Sequence, residues 1–156
     1  MTAAAALLLA VILPLLPNPL LTPGDIASHN TSEVCTTGYA GAHRAVSDAT
    51  KHAVYAAYGL MATGRWRLLD GVRIYQSDFE VDHLVSLQVG GSNAPANLWP
   101  QSYRTRTWNA TSKDALENRL HWLVCHDRLE LAEAQRVLRV NWIQAYRDFI
   151  TNGPPK

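Results

Sequence analysis

The spacing of apolar residues changes character along this chain, and each change predicts an element. From Ala42 to Tyr58, Val46, Ala49, Ala53, Val54 and Ala57 recur at helical spacing, and Gly59 supplies a stop. A connector with Gly64 and Gly71 follows. Val72–Tyr75 and Phe79–Leu87 have strand-like composition, Gly90-Gly91-Ser92-Asn93 reads as a turn with glycine at positive φ, and Asn97–Trp99 can pair back as a short strand. Thr111, with Asp114 three residues on, resembles a helix start, and Leu116, Leu120, Leu123 and Val124 mark an apolar face up to Cys125. A last helix is predicted from Leu131 to Phe149, with Ala134, Val137, Leu138 and Trp142 inward, before a breaker tail at 151–156. This order predicts an α+β domain whose central strand–turn–strand–helix segment can hold a site.

The N-terminal 21 residues carry no charged side chain, and the apolar run Ala3–Leu16 predicts a secretory signal or an N-terminal membrane anchor. Either places the protein outside the cytosol, secreted or held at the cell surface. Residues 22–42 read as an irregular lead-in, and 43–150 as the functional domain. A chain with 47% hydrophobic and 17% charged residues is expected to fold rather than stay disordered. Its formal charge of +1 names no partner, so a nucleic-acid surface must be local. In an exported chain the two cysteines, Cys35 and Cys125, predict one disulfide, and they are too few for a four-ligand structural zinc site.

The segment FEVDHLVSLQVGGSNAPANLWPQ, residues 79–101, sets Asp82 beside His83. Hydrolysis of a phosphodiester requires a base that takes a proton from the attacking water, which suits a neutral imidazole. It also requires a hard cation to offset charge on the phosphate, and such ions need only one or two protein oxygens. Asp82 and His83 supply an oxygen ligand and a base. Adjacent side chains on a regular strand point oppositely, so their convergence requires the strand to end near this point.

This segment resembles the hairpin of the HNH endonucleases, whose ββα-metal motif begins with Asp-His or His-His and continues through a Gly-Gly turn to Asn-Leu. The likeness extends to small exported bacterial or phage members through KHAVYAAYGL, KDALENRLHWLVC, LAEAQ and NW, covering roughly residues 33–147. It implies a hairpin-plus-helix core with flanking helices, His83 as general base, Asp82 as the first metal ligand, and Asn97 as the amide that ties the loop and orients the base. A related group, the non-specific DNA/RNA endonucleases, uses an Asn at the helix start and a Glu two turns on. By that likeness Asn109 is the second metal ligand and Glu117 stands just outside the ligand set, with Asp114 and Asn118 as alternatives. The implied cofactor is a divalent ion, Mg²⁺ foremost and Mn²⁺ or Zn²⁺ next, and the implied substrate is DNA, with RNA left open.

Arg104, Arg106 and Lys113 form a basic stretch beside the hairpin, suited to phosphates or simply to solvent. Glu80 falls two residues before Asp82, an exposed acid or a further carboxylate beside the metal. His121 reads as a structural histidine, with a stand-in for a third motif histidine as its other role. Two other functions compete: a nucleic-acid-binding module that keeps the scaffold without cutting, and a disulfide-stabilised secreted interaction protein.

Overall fold

The computed structural model describes residues 15–60, 66–69 and 72–151. The connector glycines Gly64 and Gly71, most of the predicted leader and nearly all of the tail lie outside the described residues. The order is α1 (Thr31–Val34), α2 (Tyr39–His43), α3 (Asp48–Ala57), β1 (Trp66–Leu69), β2 (Val72–Tyr75), β3 (Phe79–His83), β4 (Leu98–Ser102), α4 (Ala110–Val124) and α5 (Leu131–Tyr146), which runs on into a π-helical turn, Arg147–Thr151. The fold is α+β. Its strands form two antiparallel pairs, β1 with β2 and β3 with β4.

The alanine pattern misplaced the first long helix. Ser47 accepts a hydrogen bond from the Thr50 backbone at 3.1 Å, and this cap starts α3 at Asp48 rather than Ala42. Ala49, Ala53 and Ala57 are exposed, and the helix turns Val54, Tyr55 and Tyr58 inward instead. The tyrosines set its phase because each hydroxyl has a partner below: Tyr55 donates to the Phe79 carbonyl at 3.0 Å, and Tyr58 shares a 2.7 Å bond with Thr22. That anchoring lays α3 against the β3–β4 ribbon.

β3 stops at His83, four residues short of the apolar run that suggested it. Beyond it the chain turns through a 3-10 segment, Leu87–Val89, capped by Ser86, and Leu84, Val85, Leu87 and Val89 are all buried. Burial, not sheet pairing, explains their composition. β4 is longer than expected and reaches Ser102. α4 is capped by Asn109 rather than Thr111, through a 3.1 Å bond from the Ser112 backbone.

The main core lies between α4, α5 and the loop after β3, with Val85, Val89, Leu116, Leu120, Leu123, Leu138 and Trp142 at its centre. The lead-in is built into it. Ile26 bridges Gly91, and the Gln135 amide donates to the carbonyls of Ser28 and Val89 at 2.9 and 2.8 Å. Both turn glycines are needed there. Gly90 has φ +84°, as expected, and a Cβ on it would lie 2.3 Å from the Ser28 carbonyl oxygen. Gly91 is required by close approach alone, since its Cβ would come within 1.8 Å of the Val85 oxygen.

Cys35 and Cys125 form a disulfide across 90 residues, joining the end of α1 to the end of α4. Closing a loop of that length contributes roughly 4–5 kcal/mol on the chain-entropy account. The end of the predicted leader is also docked, since the Trp142 indole donates to the Leu15 carbonyl at 3.0 Å. Among the described residues no helix is long and apolar enough to cross a membrane.

Candidate active site at the exit of the β3 strand

β3 and β4 pair in register from Phe79 with Ser102 to His83 with Leu98. The pairing runs through both Asp82 and His83, so the two side chains leave on opposite faces and do not converge by the strand ending early. Phe79, Val81 and His83 share one face, Glu80 and Asp82 the other.

On the first face His83 lines a cleft of about 770 Å³ whose other walls include Arg44, Ser47, Lys51, Tyr55 and Tyr103. Its Nε2 lies 3.0 Å from the Asn93 side-chain oxygen. The Asn93 amide is itself oriented, because its nitrogen donates to the His43 carbonyl at 2.7 Å. An oxygen facing Nε2 requires that Nε2 carry the proton, which leaves Nδ1 with the lone pair. Nδ1 makes no hydrogen bond among the described residues. Burial lowers the pKa of the ring, opposed by the Asn93 bond and the charge of Asp82, and assisted by the charges of Lys113 and Arg44. The result is a neutral imidazole with one basic nitrogen uncommitted.

The opposite face is closed by α4. The Lys113 ammonium is fully buried and donates to the Asp82 carboxylate at 2.8 Å, to the His83 backbone carbonyl at 2.5 Å, and to Glu117. Burial works against this ammonium, but the Asp82 and Glu117 carboxylates outweigh it and hold its pKa above the usual lysine value. Glu117 accepts a second bond from the Ser86 hydroxyl at 2.9 Å, and burial pushes its carboxyl up against the pull of Lys113. The phosphate-binding role expected of Lys113 is therefore corrected: a residue with no exposed surface and three acceptors has nothing left to offer a phosphate.

Asn97 is fully buried and ties the loop in three places: it accepts from the Val85 N–H at 2.8 Å and donates to the Val85 and Ser92 carbonyls at 2.9 Å each. Asn109 is spent as a cap. Its oxygen accepts from Ser112 and its nitrogen donates to the Thr105 carbonyl at 3.1 Å, so helix geometry occupies the amide suggested as a metal ligand. Asn118 is turned to the Gln88 amide at 2.9 Å. Asp114 is exposed, and its carboxylate makes no hydrogen bond among the described residues. Burial and the nearby Asp82 charge raise its pKa, against Lys113 and Arg44. Glu80 is raised by burial, with Asp82 and Asp114 adding to it, while its bond from Tyr103 at 2.6 Å opposes the shift.

Arg104 pairs with Asp78 at 3.1 Å, and Arg106 is exposed. Arg44 was not singled out in the sequence, yet it stands on the cleft wall within electrostatic reach of both His83 and Asp114. Asn93 was read only as a turn residue, and no local signal marks it as the partner of a histidine ten positions earlier. Lys113 with Glu117 did carry a signal, the i, i+4 spacing of opposite charges. His121 donates to or accepts from nothing in the cleft; its ring nitrogen meets the Val34 carbonyl at 3.1 Å. Cys35, Cys125 and His121 cluster within 4.8 Å, but the two sulfurs are joined to each other. Trp108 packs edge-on against Trp142 and Tyr146, a core anchor.

Asp82 has one oxygen free of hydrogen bonds, Asp114 has both, and Glu80 has one, among the described residues. Their charges repel one another beside a single ammonium. They do not gather into a compact ligand set: among the described residues the one group of three such side chains with ligand atoms within 4.8 Å is Cys35, His121 and Cys125. Comparisons with family models, curated proteins and solved structures found no match to the chain.

Proposed function

We propose that this protein is a metal-dependent endonuclease of the HNH type, built on a ββα-metal core formed by β3, β4 and α4, and hydrolysing DNA with little sequence preference. The observation that carries the reading is the committed imidazole of His83: Nε2–H is held by Asn93 and Nδ1 is free of hydrogen bonds among the described residues. Nδ1 takes a proton from the water that attacks phosphorus, and the lowered pKa keeps it able to do so at neutral pH. Asp82 and Asp114 would hold the divalent ion, with Glu80 beside them. The ion, when bound, offsets the negative charge that builds on the phosphoryl group and the leaving oxygen. Arg44, on the cleft wall, holds a flanking phosphate, and Arg106 extends the basic surface. RNA fits the same chemistry. The disulfide suits an oxidising compartment outside the cytosol, reached through the apolar N-terminal segment as a secreted or surface-anchored protein.

A binding module that does not cut is the second reading. Two observations favour it: the Lys113 ammonium already occupies an oxygen of Asp82, and Asn109 is engaged as a cap. Nicking of supercoiled plasmid separates the two. The expected result is nicking with Mg²⁺ or Mn²⁺, none in EDTA, and a loss of about 10²–10⁴-fold in His83→Ala. Nicking that persists in chelator rejects the metal mechanism, and no nicking with any divalent ion favours the binding module.

A further inference from the structure

The cleft over His83 has walls of two kinds. Arg44, from the link between α2 and α3, and Lys51, from α3, bring positive charge, while β3 and the residue after β4 bring Glu80 and Tyr103. Arg44 is exposed and has no ion-pair partner among the described residues, and Lys51 pairs with Asp48 at 3.2 Å on the surface. Tyr55 and Phe79 are packed inward, whereas Tyr103 is 55% exposed. That exposed residue is nonetheless held at both ends. Its backbone N–H donates to the Asp78 carbonyl at 3.0 Å, and its hydroxyl donates to Glu80 at 2.6 Å. A ring already fixed loses little rotamer freedom when a flat group stacks on it. His83 is the reverse, only 4% exposed, so a phosphate reaches its ring by entering the cleft.

These features discriminate between forms of nucleic acid. A duplex is stiff and keeps its bases stacked on one another, away from protein rings. A single strand bends into a charged groove and lays its unpaired bases on aromatic side chains. Within this cleft the phosphates are drawn toward Arg44 and repelled by Glu80, which leaves the bases on the side of Tyr103.

We propose that the cleft takes single-stranded nucleic acid in preference to duplex, with Tyr103 as the stacking platform for one base and Arg44 on an adjoining phosphate. This rests on the nuclease reading above and adds the form of substrate to it. Negatively supercoiled plasmid stays a substrate because its torsion favours local strand opening.

The test is fluorescence anisotropy with the full chain in EDTA and three labelled DNA probes of equal length. They are a single strand, a blunt duplex, and a strand of abasic nucleotides that keeps the phosphates and lacks the bases. The wild type is expected to bind the single strand at least about 10-fold more tightly than either other probe, and Tyr103→Ala to lose about 5–100-fold on the single strand alone, the worth of one stacked base. Tyr103→Phe keeps the ring and should retain most of the affinity, whereas a role exerted only through the Glu80 bond would be lost equally in both variants. Arg44→Ala should weaken the single strand and the abasic strand alike, since both carry the phosphate. Equal affinity for the single strand and either other probe, or Tyr103→Phe as weak as Tyr103→Ala, overturns this proposal alone and leaves the nuclease reading to the nicking assay. No binding of any probe, in EDTA or with Mn²⁺ on His83→Ala, overturns both.

Discussion

The two faces of β3 are one residue apart and chemically opposite. On the His83 face a neutral ring borders an open cleft with one nitrogen unused. On the Asp82 face a buried ammonium spends its three N–H groups on Asp82, Glu117 and the His83 carbonyl. The first is open, the second is closed by its own hydrogen bonds. Lys113 bonds the carbonyl of His83 as well as the side chain of Asp82, so the closed face sets the backbone from which the ring projects. The comparison teaches that the hydrogen-bonded half of this candidate site lies beneath the strand and the open half above it.

The sharpest way to break that comparison is Lys113→Met. It strips two carboxylates of their buried partner, and the expected loss is about 3–5 kcal/mol in urea unfolding, the usual cost of removing one member of a buried pair. A loss under about 1 kcal/mol, typical of exposed pairs, would mean the face is open to water. Asn97→Ala comes next. Three buried bonds disappear and the Val85 amide is left unpaired, so roughly 2–4 kcal/mol should go. Nicking should fall with it wherever the folded fraction is kept high, because the loop that presents His83 loosens.

Asn93→Ala sharpens the reactive side and is the smallest effect. Stability should change by no more than about 1–2 kcal/mol, the net worth of two hydrogen bonds near the surface. The informative readout is the pH profile of kcat/KM. Burial holds His83 below its usual 6.5, so the acidic limb of the wild type should fall below pH 6.5. The Asn93 bond opposes that shift by favouring the protonated ring. Its removal should therefore move the limb to still lower pH, while the rate at the plateau drops because the tautomer is no longer fixed. A limb that moves upward would show that Asn93 is not the partner of Nε2.

Much of the candidate site was chosen from the sequence, and the residues whose surroundings differ from expectation share a cause. Asp82, His83 and Asn97 stand in one short segment and could be found by type and spacing. The helix after them was foreseen, together with its face of Leu116, Leu120 and Leu123, since a 3.6-residue period survives whatever it packs on. Asn109 misled because an Asn before a helix satisfies a cap as well as it would a cation, and the free backbone N–H of Ser112 decided for the cap. Lys113 misled because charge alone does not say which way a side chain points. In α3 the alanines supplied a period without enough apolar surface to enforce it, and two tyrosine hydroxyls chose the phase.

The sequence by itself determined the α+β order, the Asp-His pair with its following Asn, the turn that only glycine fits, and the availability of two cysteines for one bridge. These are local matters of period, residue type and backbone freedom. Only the tertiary structure decided that Asn93 orients the ring of His83, and that Lys113 turns inward to Asp82, Glu117 and the His83 carbonyl. Each of those joins groups distant along the chain or at unrelated phases of helix and strand. Burial then fixes the outcome, since a charge or amide removed from water must find its partner wherever the fold has brought one.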